Sequence, residues 1–379
     1  MTIPVIVGFR RSPFTAATRG RLAKVRPDDM LAQVIAGLLD TDKIDRADLE
    51  DVIVGCAFPE GEQGLNIART AALLAGLPVE AAGATINRFC GSSMQAVHAA
   101  AGAVRMGAGE VFACAGVESM TRVPMPGFNF SPNPALYDTF PEVYMSMGET
   151  AENLARRYGI ARPEQEALAV ESHRRAAAAE EAGELAREIV PIAAENGERT
   201  DRDGTIRRDT GPEALAALEP AFEKGGTVTA GTSAPLTDGA AALLVTSEDY
   251  ARRHGLPVMA RVRAVAVAGC APDLMGLGPV YATRKALVRA GIEVRDLDVV
   301  ELNEAFAVQV LACARELGLA PERLNTGGGA LALGHPLGAS GARITGRAAA
   351  QLGERGGRFA LATMCIGGGQ GIATVLEAA

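Results

Sequence analysis

Only four lysines and four histidines occur in the 379 residues, and none of the six cysteines forms a C-x-x-C pair. Each shortage removes a class of function. Four scattered histidines without paired cysteines leave no metal-ligand cluster, so no metal is expected. There is no G-x-x-x-x-G-K phosphate loop, no G-x-S-x-G and no H-E-x-x-H. GGGALA at 327–332 lacks an intact G-x-G-x-x-G and runs into a His-Pro turn, which argues against a dinucleotide site. No apolar run reaches spanning length, and TIPVIVGFRRSPF has no basic start before its apolar stretch, so neither a signal peptide nor a membrane association is expected. Without a secretory signal, free thiols in a reducing cytoplasm are expected rather than a disulfide framework. The formal charge of −8 argues against a nucleic-acid surface. Arginine replacing lysine almost throughout reads as codon bias and carries no functional argument.

What is present is a long, ordinary globular chain, 48% hydrophobic and 22% charged, too long for one compact core. Strand and helix patterns alternate. A first strand ends at Ser12-Pro13; Pro27-Asp28-Asp29 opens a helix; Val52–Val54 is a short buried strand. Asn66–Leu74 is a helix, Ala84–Asn87 a strand, Ser92 to Met106 a helix and Val111–Ala115 a strand. This β-α-β order predicts a layered α/β domain. After Met120 five prolines fall between 121 and 141 with no period, which predicts a long loop. Helices over Thr150–Tyr158 and Pro163–Ala186 and a polar stretch follow, and the α/β pattern returns at Asp238. The expected organisation is a first half over 1–118, completed by about 238–257, an inserted domain over 119–237, and a second half over 258–379. Asp48–Ile53 resembles Asp296–Glu301, and the order of elements after each is shared, which suggests an internal duplication.

Chemistry concentrates in a few turns. Cys90, in NRFCGSSM, stands between a strand and a helix, where free N–H groups and the helix dipole favour a thiolate and Gly91 allows close approach of a substrate. Position alone weighs equally for a buried structural cysteine. His335, in GGGALALGHPLGASGAR, is the one histidine in a glycine-dense turn before a helix and suits a base for a thiol. His98 lies two turns along the helix from Cys90, and His173 and His254 fall in polar contexts where a solvated side chain is expected. Cys365, in ATMCIGGGQG, enters a glycine turn whose N–H groups suit an oxyanion, although a tight hairpin with a buried thiol fits that position better on its own. Asn303, in ELNEAFA, has the look of a helix N-cap.

Taken together, NRFCGSSMQA, ELNEAFA, GGGALALGHPLGASGAR and CIGGGQG, in that order, resemble the thiolase family over nearly the whole chain, with the β-oxidation branch closest. The resemblance implies a duplicated five-layered αβαβα fold with an inserted loop domain over the CoA site. It implies an acyltransferase that cleaves 3-ketoacyl-CoA with CoA as co-substrate and no further cofactor. By motif match Cys90 is the nucleophile, His335 activates it and Cys365 is the general acid/base. Asn303 would hold a water that with His335 forms one oxyanion hole, and the N–H groups of Cys90 and Gly367 would form the other. Met147 and Met275 match residues flanking the thioester, Phe222 one near pantetheine, and Arg207 a CoA contact. Ala234 stands where many members have a pantetheine-contacting Ser. Ser146, where short-chain biosynthetic members tend to carry His, leaves room for a longer acyl tail. The alternatives are a short-chain acetyl-CoA C-acetyltransferase and, more remotely, a non-catalytic subunit of the same fold. Condensing enzymes fed by an acyl carrier protein pair their Cys with two His, and Asn303 occupies the second position here. The family further implies a homodimer or homotetramer and a possible hydratase/dehydrogenase partner.

Overall fold

The computed structural model describes residues 2–379. In the first half, β1 (Pro4–Arg11) is followed by α1 (Pro27–Asp42), β2 (Asp51–Gly55), α2 (Ile67–Leu74), β3 (Ala82–Ile86), α3 (Ser92–Met106) and β4 (Val111–Ser119). An intervening segment contains α4 (Met147–Tyr158) and α5 (Arg162–Glu181), after which β5 (Thr237–Ser247) completes this half. The second half runs through β6 (Ala260–Gly269), α6 (Gly278–Ala290), β7 (Val299–Leu302), α7 (Ala307–Leu317), α8 (Leu337–Arg355), β8 (Phe359–Ile366) and β9 (Gln370–Glu377).

The strand order is β7-β8-β9-β6-β1-β5-β4-β2-β3. In the first half β2 runs parallel to β3 and β4, and β5 is antiparallel to both β4 and β1. The second half repeats the scheme: β7 is parallel to β8, and β9 is antiparallel to β8 and β6. The two half-sheets join through only two residue pairs, Val5 with Arg261 and Ile6 with Ala260. This is the duplication that the two Asp-Leu-containing segments suggested.

Burial on both faces of each half-sheet makes the layers. Ile53 packs into a central core with Val97 and Ile344, while its neighbours Val52 and Val54 face α1 and α2 on the other side. Likewise Ala360 and Ala362 face the centre, and Leu361 faces α6 and α7. Period-two alternation with both faces apolar is what a doubly covered sheet requires. Helices α3 and α8 therefore form the middle of five αβαβα layers, as expected. They approach closely because Gly341 has no side chain: a Cβ there would lie 2.5 Å from the Met94 nitrogen.

The intervening segment is fastened to both halves. Arg11, fully buried, donates to Glu188 at 2.8 Å and to both oxygens of Asp203 at 2.7 Å. Ala151 and Leu154 of α4 join the core of α6 and α7. The proline-rich stretch is not a bare loop, because Pro134 begins a short helix, Pro134–Thr139, capped by Asn133, whose Oδ1 accepts from Leu136 N at 3.1 Å. A proline at the first helical position starts a helix as readily as an interior one breaks it. Helix α5 ends at Glu181, five residues before the expected Ala186, with Gly183 at φ +73° beyond it. Among the described residues no helix is long and apolar enough to cross a membrane.

Candidate active site

Strand β3 turns into α3 through Asn87, Arg88, Phe89 and Cys90. Phe89 has φ +42°, a conformation that side chains rarely adopt and that costs about 1–3 kcal/mol. Ser92 holds this turn: its Oγ donates to Phe89 O at 2.6 Å and accepts from Arg88 N at 2.8 Å. The sharp turn places Cys90 two residues before the start of α3, 3% exposed, in the wall of a cavity of about 160 Å³. Gly91 serves a different purpose from the one expected. A Cβ on it would meet Ile366 at 2.6 Å, so it lets β8 approach rather than a substrate.

His335 and Cys365 line the same cavity from the second half. His335 precedes α8, and its N–H donates to Thr237 Oγ1 at 3.0 Å. Its ring protonation follows from counting donors. The Ser340 hydroxyl has one hydrogen, and it points to Pro336 O at 2.9 Å. The 2.6 Å contact between Ser340 Oγ and His335 Nδ1 therefore needs the hydrogen on Nδ1. That leaves a lone pair on Nε2, which Asn303 Nδ2 approaches at 3.4 Å. Nε2 is thus assigned as the basic nitrogen. Cys365 is the next-to-last residue of β8, opposite Gly371 of β9, across the turn 367–369. The hairpin with a buried thiol and the position that the resemblance assigns to the acid/base are one and the same place.

Electrostatically the resting site is neutral. Burial pushes the Cys90 thiol up to about 11, and the N–H groups of Gly367 and of Cys90 itself only partly oppose this. The thiolate expected from the helix terminus is absent at neutral pH because the loss of water outweighs the dipole. Cys365 is raised well above the usual thiol range, chiefly by burial and then by neighbouring Cys90. His335 is lowered to about 3 by burial and by the Arg343 guanidinium, so it is a neutral imidazole. A neutral base beside a protonated thiol can pass one proton when a substrate arrives, at no net change in charge.

The other singled-out residues divide. Met147, Phe222, Ala234 and Met275 line the cavity of Cys90, His335 and Cys365. Phe222 lies over Gly148, where a Cβ would come within 2.0 Å of the ring, and meets Phe306 edge-on at 5.8 Å between centroids. Arg207 lines a second cavity of about 120 Å³. Ser233 and Pro235 border both cavities, which therefore adjoin. Asn303 is fully buried behind His335 and Gly367 adjoins Cys90; neither lines the cavity. Asn303 is also not a helix cap, since the next helix starts at Ala307 with Phe306 before it. His173 is buried, not solvated: its Nδ1 accepts from Arg207 N at 3.1 Å.

Sequence reasoning missed two supports, Ser340 and Glu118, and a second role of Ser146. Ser340 had a signal, a hydroxyl in the first turn and a half of α8, five residues after His335. Ser146 lines the cavity and also caps α4, accepting from Glu149 N at 3.3 Å while Glu149 accepts from Ser146 N at 3.0 Å. Glu118, fully buried, accepts from Ala57 N at 2.8 Å, Gln63 Nε2 at 2.8 Å and Gly338 N at 2.9 Å. It thereby ties the start of α8, and with it His335, to the first half. No local pattern identifies it.

The family model "Thiolase, N-terminal domain" matches residues 4–249 and "Thiolase, C-terminal domain" matches residues 256–378. A 3-ketoacyl-CoA thiolase of Shewanella sp. (strain MR-7) is 49% identical over 383 aligned positions, 98% of each chain. One from Shewanella oneidensis has the same 49% identity and 98% coverage. The crystal structure of human mitochondrial 3-ketoacyl-CoA thiolase is similar with a TM-score of 0.92 and 37% identity, covering 100% of this chain and 99% of that one.

Proposed function

The chain belongs to the thiolase family, and from that premise we propose that it cleaves 3-ketoacyl-CoA by transfer of the acyl group to Cys90 and then to CoA. It is an acyltransferase, and the thiolytic reading is favoured over short-chain condensation by relatives named for 3-ketoacyl-CoA across 98% of the chain. The observation that carries the residue assignment is the shared cavity of Cys90, His335 and Cys365, built from both halves.

In this reading His335 Nε2 takes the Cys90 proton and the sulfur attacks the 3-keto carbon. The alkoxide is met by the N–H groups of Cys90 and Gly367. The C2–C3 bond breaks, the electron pair stays on C2 as an enolate, and Cys365 gives C2 its proton to form acetyl-CoA. CoA then enters, loses its thiol proton to the Cys365 sulfur and attacks the acyl-Cys90 thioester. Cys90 departs and recovers its proton from His335, so both thiols end as they began. Two half-reactions through one covalent intermediate give ping-pong kinetics. Asn303, whose Nδ2 lies 3.4 Å from Nε2 of the neutral ring, would hold a water that with His335 supports the enolate. Arg207, Phe222 and Ala234 would border the CoA arm, with the smaller Ala234 leaving a pantetheine hydrogen bond unmade. CoA is a co-substrate, and the chemistry calls for no further cofactor.

The proposal extends to a homo-oligomer and a cytoplasmic role in fatty-acid β-oxidation, beside a hydratase/dehydrogenase that supplies the ketone. Strand β3 is paired only on its β2 side, and Phe89 beside it and Leu65 are exposed, a surface suited to a second copy. Light scattering tests the oligomer. The activity is tested by mixing the protein with acetoacetyl-CoA, quenching in acid and mapping the acetylated peptide. Acetyl on Cys90 supports the reading; acetyl only on Cys365, or none, overturns it.

A further inference from the structure

A larger cleft, about 300 Å³, shares no lining residue with the catalytic cavity. It exists because β1 and β6 part after two residue pairs, leaving the rest of that β6 edge without a strand partner. Helix α3 faces the gap with Ala101 and Gly102, and a Cβ on Gly102 would meet nothing within 4 Å. Three arginines surround the space: Arg105 from α3, Arg263 from β6 and Arg289 from α6. No carboxylate lines it, in a chain whose formal charge is −8.

Two of the guanidiniums, those of Arg263 and Arg289, are held in place by backbone rather than by acids. Arg289 Nη1 donates to Val265 O at 2.6 Å, and Arg263 donates to Ala290 O from Nε at 3.3 Å and Nη2 at 3.2 Å. Among the described residues neither Arg105 nor Arg289 takes part in an ion pair, and Arg263 has only a loose one, 3.7 Å from Glu377. Inside the cleft, His98 Nε2 lies 2.8 Å from Thr374 Oγ1. Burial, then Arg88 and Arg289, lower His98 to about 3, so it is a neutral hydrogen-bonding group there. Two fixed guanidiniums and an unpaired third, Arg105, above an apolar floor are the donor set for a phosphate carried on a small organic body.

We propose that this cleft binds the phosphate group of a small phosphorylated metabolite, at a site separate from the catalytic cavity. His98 is eight residues along α3 from Cys90, about 12 Å at helical rise, so both sites can be filled together.

The test is calorimetric titration of the full chain, saturated with CoA, with inorganic phosphate and with phenyl phosphate. Saturable binding of one phosphate per chain is expected, with phenyl phosphate at least as tight. Arg105→Gln and Arg289→Gln should each weaken it by about tenfold, the usual size of a lost charged hydrogen bond. Arg207→Gln, at the catalytic end, should leave it unchanged. Both cleft variants alter exposed side chains, so their melting temperature and thiolysis rate should match the parent and certify folding. Absence of saturable heat, binding that persists in the double variant, binding lost only with Arg207→Gln, or phenyl phosphate weaker than phosphate would each overturn the proposal.

Discussion

Replacing Ser340 by Ala removes one oxygen from behind His335, the proposed base, without touching the cavity wall. In the parent, Ser340 Oγ accepts from His335 Nδ1–H at 2.6 Å. Between neutral partners such a bond contributes about 1 kcal/mol, and roughly twice that once the ring is charged. The difference appears only when His335 has taken the Cys90 proton, so the barrier should rise by about 1–1.5 kcal/mol, or up to about tenfold in rate. Stability should also fall, by about 1–3 kcal/mol, because the buried Nδ1–H loses its partner. The assay is rapid-quench acetylation of Cys90 by acetoacetyl-CoA, with KM measured alongside. The rate constant should drop and KM hold, since Ser340 does not line the cavity. A control distinguishes loss of the base from general damage. With the thiol at about 11, roughly one molecule in a few thousand carries a thiolate at pH 7.5, so alkylation there needs His335. Near pH 11 hydroxide suffices, and alkylation rates of variant and parent should converge. Parent-like acetylation at pH 7.5 by Ser340→Ala would refute the assignment of the Nδ1 hydrogen and the role built on it.

Other outcomes follow from the same site. In Cys365→Ala, acetyl transfer from acetyl-CoA to Cys90 should persist while exchange of the acetyl methyl protons with deuterated water collapses; exchange at the parent rate would remove Cys365 as the base. Because His335 is held near 3 rather than 6.5, it stays an unprotonated base as pH falls, and kcat/KM for acylation should remain level from pH 8 to about pH 5; an acid limb near 6.5 would contradict this. Phe222→Ala should raise KM for CoA several-fold with little change in kcat, by removing the ring that lies over Gly148; an unchanged KM would place the CoA arm elsewhere. Catalytic efficiency should rise from C4 to C8 substrates by about a factor of four per buried methylene, as the tail passes Met125 and Leu236, both partly open to solvent; a steady fall from C4 would favour short-chain chemistry.

The sequence alone determined whatever depends on neighbours along the chain. Helix α3 is bounded where its pattern starts and stops, at Ser92 and Met106, because capping and periodicity are local. The repeated Asp-Leu segments announced two equivalent halves, and four short blocks in order announced the family. Proline was misread at 134 because its effect depends on whether it stands first or inside a helix, which composition does not tell. Tertiary structure decided everything that needs two distant segments to meet. Cys90 and Cys365 share a cavity because α3 and the β8–β9 turn come from opposite halves, 275 positions apart in the numbering. The elevated thiol and the neutral imidazole come from burial, which is set by the packing around a residue and not by its neighbours in sequence. The same holds for Glu118, whose carboxylate accepts from Gly338 N, and for the arginine cleft, which lies between the β6 edge, α3 and α6 and has no counterpart in any one stretch of chain.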